Sequence, residues 1–96
     1  MPRLVNAPAQ VTSYGPGHDG RPWPLLFFTC RGSRFRADLK STQAEHFVVV
    51  PEWWKAPMPD GQPPEAQFYR LPLIGGGVVE LVQEPDKSWR LYKVYD

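Results

Sequence analysis

Ninety-six residues make one domain, because two would each be too small to bury a core of their own. Hydrophobic residues at 42% and aromatics at 14% exclude a chain disordered by composition, while twelve prolines beside eight glycines exclude long helices. The formal net charge of +1 gives no argument for long-range steering of a charged partner, although residues 1–48 carry six bases against three acids and residues 49–96 five against seven, a modest dipole.

In chain order, Gln10–Tyr14 alternates briefly and predicts an edge strand or an ordered arm. Residues 15–24 (GPGHDGRPWP) read as loop, so residues 1–24 form an arm and a Gly/Pro loop ahead of a β domain over 25–96. Leu25–Cys30 is a compact apolar run that predicts a strand buried on both faces. After the Arg31-Gly32-Ser33 turn, Arg34–Lys40 alternates, with Phe35, Ala37 and Leu39 on one side and Arg34, Arg36, Asp38 and Lys40 on the other. Thr42 and Glu45 have the spacing of a capping box, which allows one helical turn over 42–47. Residues 47–55 (FVVVPEWWK) look extended with a break at Pro51, and residues 56–66 form a surface loop with four prolines. Gln67–Ile74, Val78–Gln83 and Ser88–Tyr95 then read as a three-stranded meander. The expected fold is mainly β: a small curved antiparallel sheet or partly open barrel of five to six strands, with at most one short helical turn. Its expected core includes Leu26, Phe28, Phe35, Leu39, one of Trp53 and Trp54, Leu71, Leu73, Val79, Leu81, Trp89 and Leu91.

Candidate chemistry is sparse. Gly15-x-Gly17-x-x-Gly20 spells a dinucleotide fingerprint, but that motif needs a following helix N-terminus, and Pro22 and Pro24 preclude one. His18 beside Asp19 invites a general-base or metal-ligand reading. A metal site needs three or four ligands, and a loop histidine in solvent is the simpler account. His46, ahead of an apolar run, reads as a partly buried structural residue. Cys30, the single cysteine, reads as buried at a strand end, and its solitude fits a reducing compartment. Glu80 reads as an outward charge paired across to Arg70 or Arg90.

Two features point to binding. Trp53-Trp54 offers an apolar anchor if one indole is exposed; alternatively both rings pack with Pro57 and Pro59. Arg31, Arg34, Arg36 and Lys40 form a basic row. With Trp23, Tyr14 or an exposed Trp it would suit single-stranded nucleic acid, and on its own it is a solvated strand face that deters edge aggregation.

The layout of residues 25–96 resembles the small β domain found at the C-terminus of ImuB-type proteins, degenerate relatives of Y-family lesion-bypass polymerases, and as free-standing bacterial proteins. The residues that carry the likeness are Arg31-Gly32 between Phe28 and Phe35, then Glu52-Trp53-Trp54-Lys55, Phe68-Tyr69-Arg70-Leu71, Gly76-Gly77-Val78-Val79-Glu80-Leu81 and the closing Trp89-Arg90-Leu91-Tyr92-Lys93-Val94-Tyr95-Asp96. The pattern departs at Cys30, where tryptophan is expected, in residues 38–51, which lack a basic helix-like stretch, and in the longer proline-rich loop 56–66. The resemblance implies association with DNA damage tolerance and carries no activity. The expectation is therefore a non-enzymatic interaction module with no cofactor and no metal. It would use Arg31, Arg34, Arg36, Lys40, Trp53 and Trp54 on a protein partner, or alternatively on single-stranded nucleic acid. A cytoplasmic protein without membrane contact, monomeric or weakly self-associating, completes it.

Overall fold

The computed structural model describes residues 2–29, 32–55 and 57–95. Cys30 and Arg31, the expected buried thiol and the first member of the basic row, lie outside the described residues. Among those residues there is no helix, and hence none long and apolar enough to cross a membrane. Seven strands form: β1 (Pro2–Pro16), β2 (Pro22–Thr29), β3 (Arg34–Arg36), β4 (Glu45–Val49), β5 (Ala66–Pro72), β6 (Val78–Gln83) and β7 (Trp89–Tyr95). They make one antiparallel sheet in the order β3-β2-β1-β7-β6-β5-β4, so β3 and β4 are its edges. The sheet is not closed. A single bridge, Ala37 to Leu73, ties the chain just past β3 to the chain just past β5, flanked by Asp38 N–H to Pro72 O at 2.7 Å and Ile74 N–H to Arg36 O at 2.9 Å.

The count of seven exceeds the expected five to six, chiefly because of residues read as arm and loop. β1 is fifteen residues long and sits between β7 and β2. Its prolines argue against a central strand, yet β1 has a paired strand on each side. Among the described residues, residues 2–8 pair with β7, residues 10–16 with β2, and Ala9 with both. Register shifts at Leu4/Ala7, Val11/Ser13 and Ser13/Tyr14 bend the strand along its length. Asn6, inside the first shift, takes a φ of 48°, a left-handed conformation that asparagine accepts better than most residues.

The inner face of the sheet carries the core, with Trp23, Phe27, Tyr69, Leu71, Val79, Leu81 and Leu91 buried and Phe35, Leu73 and Trp89 packed against them. Each fully buried leucine contributes about 1.5–3 kcal/mol. In β2 the expected parity is reversed: Phe27 is buried, Leu26 is 38% exposed and Phe28 is half-buried. Phe27 lies opposite Phe35, and opposed residues of an antiparallel pair share a face, so the phase of β3 dictates that of β2. Trp23, read as loop, is a core residue at 3% exposure.

No helical turn forms at 42–47. Ser41 Oγ accepts the Gln43 N–H in a side-chain turn, and Glu45 opens β4 instead of ending a capping box. β4 in turn stops at Val49, and the chain turns at Pro51–Trp54, where the Trp54 N–H meets the Pro51 carbonyl at 3.5 Å.

Candidate functional site

The turn at Pro51 decides where the two tryptophans go. Expected on a strand with indoles on opposite faces, they instead sit on a turn beside the outer face of β5, β6 and β7. That outer face carries Phe68, Val82 and Tyr92. Val82 is only 2% exposed although it lies on the side away from the core. The groove bounded by Trp53, Trp54, Phe68 and Tyr92 encloses about 640 Å³.

Its aromatic walls are mutually oriented. Phe68 meets Trp53 edge-on at 6.3 Å between centroids and Tyr92 edge-on at 6.3 Å, while Phe47 stacks on its other side at 5.3 Å. Trp53 stays 54% exposed.

A carboxylate holds one wall. Glu84, 8% exposed, accepts the Trp53 indole N–H on Oε2 at 3.3 Å and the Arg90 Nε–H on Oε1 at 3.3 Å. Arg90 also donates from Nη1 to the Asn6 carbonyl at 3.2 Å and to Asn6 Oδ1 at 3.4 Å. The left-handed bend of β1 thus ends in the groove. At the rim, the Ser88 hydroxyl and backbone N–H both donate to Asp86 Oδ1, which holds its carboxyl below the ordinary value. The Trp54 indole Nε1 is buried without a hydrogen-bond partner. Burying such a donor unpaired costs about 1–3 kcal/mol, a cost the local packing must offset.

Of the expected site residues, Trp53 and Trp54 line this groove. Arg34 and Arg36 lie on the edge strand β3, exposed, opposite Phe28 and Leu26 respectively. Lys40, also exposed, lies in a turn, where its N–H donates to Asp38 Oδ1. Neither arginine nor Lys40 lines the groove, so the structure does not unite the basic row with the tryptophan pair. Phe68, Tyr92, Glu84, Arg90 and Asn6 were not among the expected binding residues. The available signal was Phe68-Tyr69 in β5, where adjacent aromatics must face opposite sides of a sheet and one of them needs an outer partner. Glu80 lies opposite Arg70 in register and accepts the Tyr95 hydroxyl at 3.3 Å, while Arg70 sits 5.0 Å over the Tyr95 ring. Arg90, the alternative partner, is engaged by Glu84.

The histidines belong to a second cluster. Asp19 accepts the Arg21 N–H and the Trp23 indole N–H, each at 3.0 Å, and the backbone bond from Arg21 is the main reason its carboxyl lies below the ordinary value. His46 points Nδ1 at Asp19 across 3.7 Å, places Nε2 2.7 Å from Gln67 Oε1, and stacks on Tyr69 at 4.7 Å. Burial pushes the Tyr69 hydroxyl above its ordinary value. His18 is exposed, with Nε2 2.9 Å from the Ser41 carbonyl and its ring edge-on to Trp23. Both nitrogens of His46 face partners within the fold, an arrangement that fixes Trp23 and Tyr69. Among the described residues no group of three or more His, Cys, Asp or Glu side chains could hold a metal. The glycine motif opens onto β2 rather than a helix, and a Cβ on Gly17 would collide with the Trp23 ring.

No family model, curated protein or solved structure matches this chain.

Proposed function

We propose that the protein is a non-catalytic interaction module that binds a protein partner through the outer aromatic groove. The observation that carries this reading is the half-exposed Trp53 in a groove walled by Trp54, Phe68 and Tyr92. Aromatic anchors with one polar end are what protein partners engage most strongly. The polar side chains around it mostly satisfy one another, Glu84 with Trp53 and Arg90, and Arg90 with Asn6, so they set the shape of the groove. The resemblance of residues 25–96 to the C-terminal domain of ImuB-type proteins supports a setting in bacterial DNA damage tolerance. Selection from a random peptide library tests the reading. Binders should lose on the order of tenfold or more in affinity with Trp53→Ala. A library that yields no binder, or binders indifferent to that change, removes it.

A second reading is direct binding of single-stranded nucleic acid. It is favoured by the common face of Arg34 and Arg36 with Phe28 and the exposed Leu26. Bases stack on aromatic faces while arginines meet phosphates. A labelled oligothymidylate separates the readings. Binding that weakens steeply with salt and is lost with Arg34→Glu/Arg36→Glu supports the second; no binding at low salt disposes of it.

A further inference from the structure

The two edges of the sheet are not equally protected. β3 has three residues, carries Arg34 and Arg36, and is succeeded at once by the bridge to Leu73. β4 has five residues, carries no lysine, arginine or proline, and has β5 on one side only. Within it Phe47 is 43% and Val48 49% exposed. Neighbouring residues of a strand face opposite sides, so apolar surface is open on both faces of the same edge. The open backbone groups of this edge are thus flanked by apolar side chains on both faces.

The rows across the sheet indicate what the neighbour is. Phe47 lies opposite Phe68, and Phe68 opposite Val82, so an apolar ladder crosses β6, β5 and β4 on the outer face and stops at Phe47. We propose that β4 pairs antiparallel with β4 of a second copy of this chain, about a two-fold axis at Phe47. That register sets Phe47 against Phe47 of the copy, His46 against Val48, and Glu45 against Val49, so no like charges oppose one another. The ladder then continues without a break from one copy into the other. The same operation satisfies the open backbone groups on both edges and covers Phe47 and Val48 together, which makes the contact isologous and self-limiting. Five residues per chain bury well under the roughly 800 Å² per partner of a standard interface, so the pair is weak and depends on concentration. The inference does not require the groove to hold a ligand.

Sedimentation equilibrium of the full chain from about ten micromolar to about one millimolar tests it. The weight-average mass should climb from one chain toward two and no further. Val48→Lys, at a position the monomer already exposes, should hold the mass at one chain over the same range, with near-ultraviolet circular dichroism reporting that the fold is kept. Arg34→Glu, on the opposite edge, should leave the association unchanged. A wild-type chain that stays monomeric throughout overturns the proposal, whether or not β4 accepts an extended peptide from another protein. So does a Val48→Lys chain that keeps its fold and associates like wild type, or an association abolished by Arg34→Glu.

Discussion

The two faces of this sheet use aromatic residues in opposite ways. On the inner face Phe27 is 2% exposed, Tyr69 6% and Trp23 3%, each locked among aliphatic side chains or other rings. On the outer face Trp53 stands half in solvent and Phe68 and Tyr92 are half-buried beside a groove. The inner rings stabilise the fold by leaving water completely. The outer rings retain surface in solvent: Trp53 is held by its indole bond to Glu84, and Phe68 by ring contacts with Phe47, Trp53 and Tyr92. Large aromatic content therefore does not equate with core, and the distinction lies in which face of each strand a ring occupies.

Substitutions ordered by expected effect sharpen that contrast. Leu81→Ala, at a position with no exposure, should cost about 2–5 kcal/mol in urea unfolding. Gly17→Ala should cost about 1–3 kcal/mol by driving a methyl group into the Trp23 ring; an unchanged unfolding midpoint would show that this approach is not close. Glu84→Ala removes the acceptor shared by Trp53 and Arg90 and should cost about 1–2 kcal/mol, with a change in the tryptophan emission spectrum as Trp53 is released. Trp53→Ala should stay within about 1 kcal/mol of wild type in stability while weakening the proposed peptide binding by about tenfold or more. If it unfolds the protein instead, the outer face is a second core and the contrast fails. The smallest effect is that of pH. The folded Asp19 and Asp86 carboxyls lie below their unfolded values, so their stabilisation is present above the unfolded value and fades as pH falls through the folded one. Unfolding midpoints measured across the acidic range should decline there, and replacing Asp19 by Asn should flatten part of that decline.

The meander of β5, β6 and β7 was legible in the sequence because Gly75-Gly76-Gly77 and Glu84–Lys87 punctuate strands of ordinary length, and Leu71, Val79, Leu81 and Leu91 fall on the buried side as read. β1 was not. Pro8 and Pro16 spell loop when read locally, yet both lie in a strand paired to β7 and β2. The helical turn at 42–47 failed because Thr42 and Glu45 match a spacing that a serine turn at Ser41 pre-empts. Within the groove, Trp53 and Trp54 stood out by composition. Glu84, Arg90 and Asn6 did not, since Arg90 and Asn6 meet only when β1 is laid beside β7. A contact between the two ends of a sequence leaves no periodicity for local reading to find.

That pairing also bears on how the chain acquires its structure. Pro2 lies against Tyr95, so the first strand has no partner on that side until the last has been made. The β5–β7 meander can assemble from neighbours alone, whereas joining it to the β2–β3 hairpin requires closing a loop that spans nearly every residue. Contacts of such sequence separation slow folding. Refolding should therefore show the meander gaining amide protection before β1 does, and shortening β1 from its start should leave the two halves of the sheet formed but poorly joined.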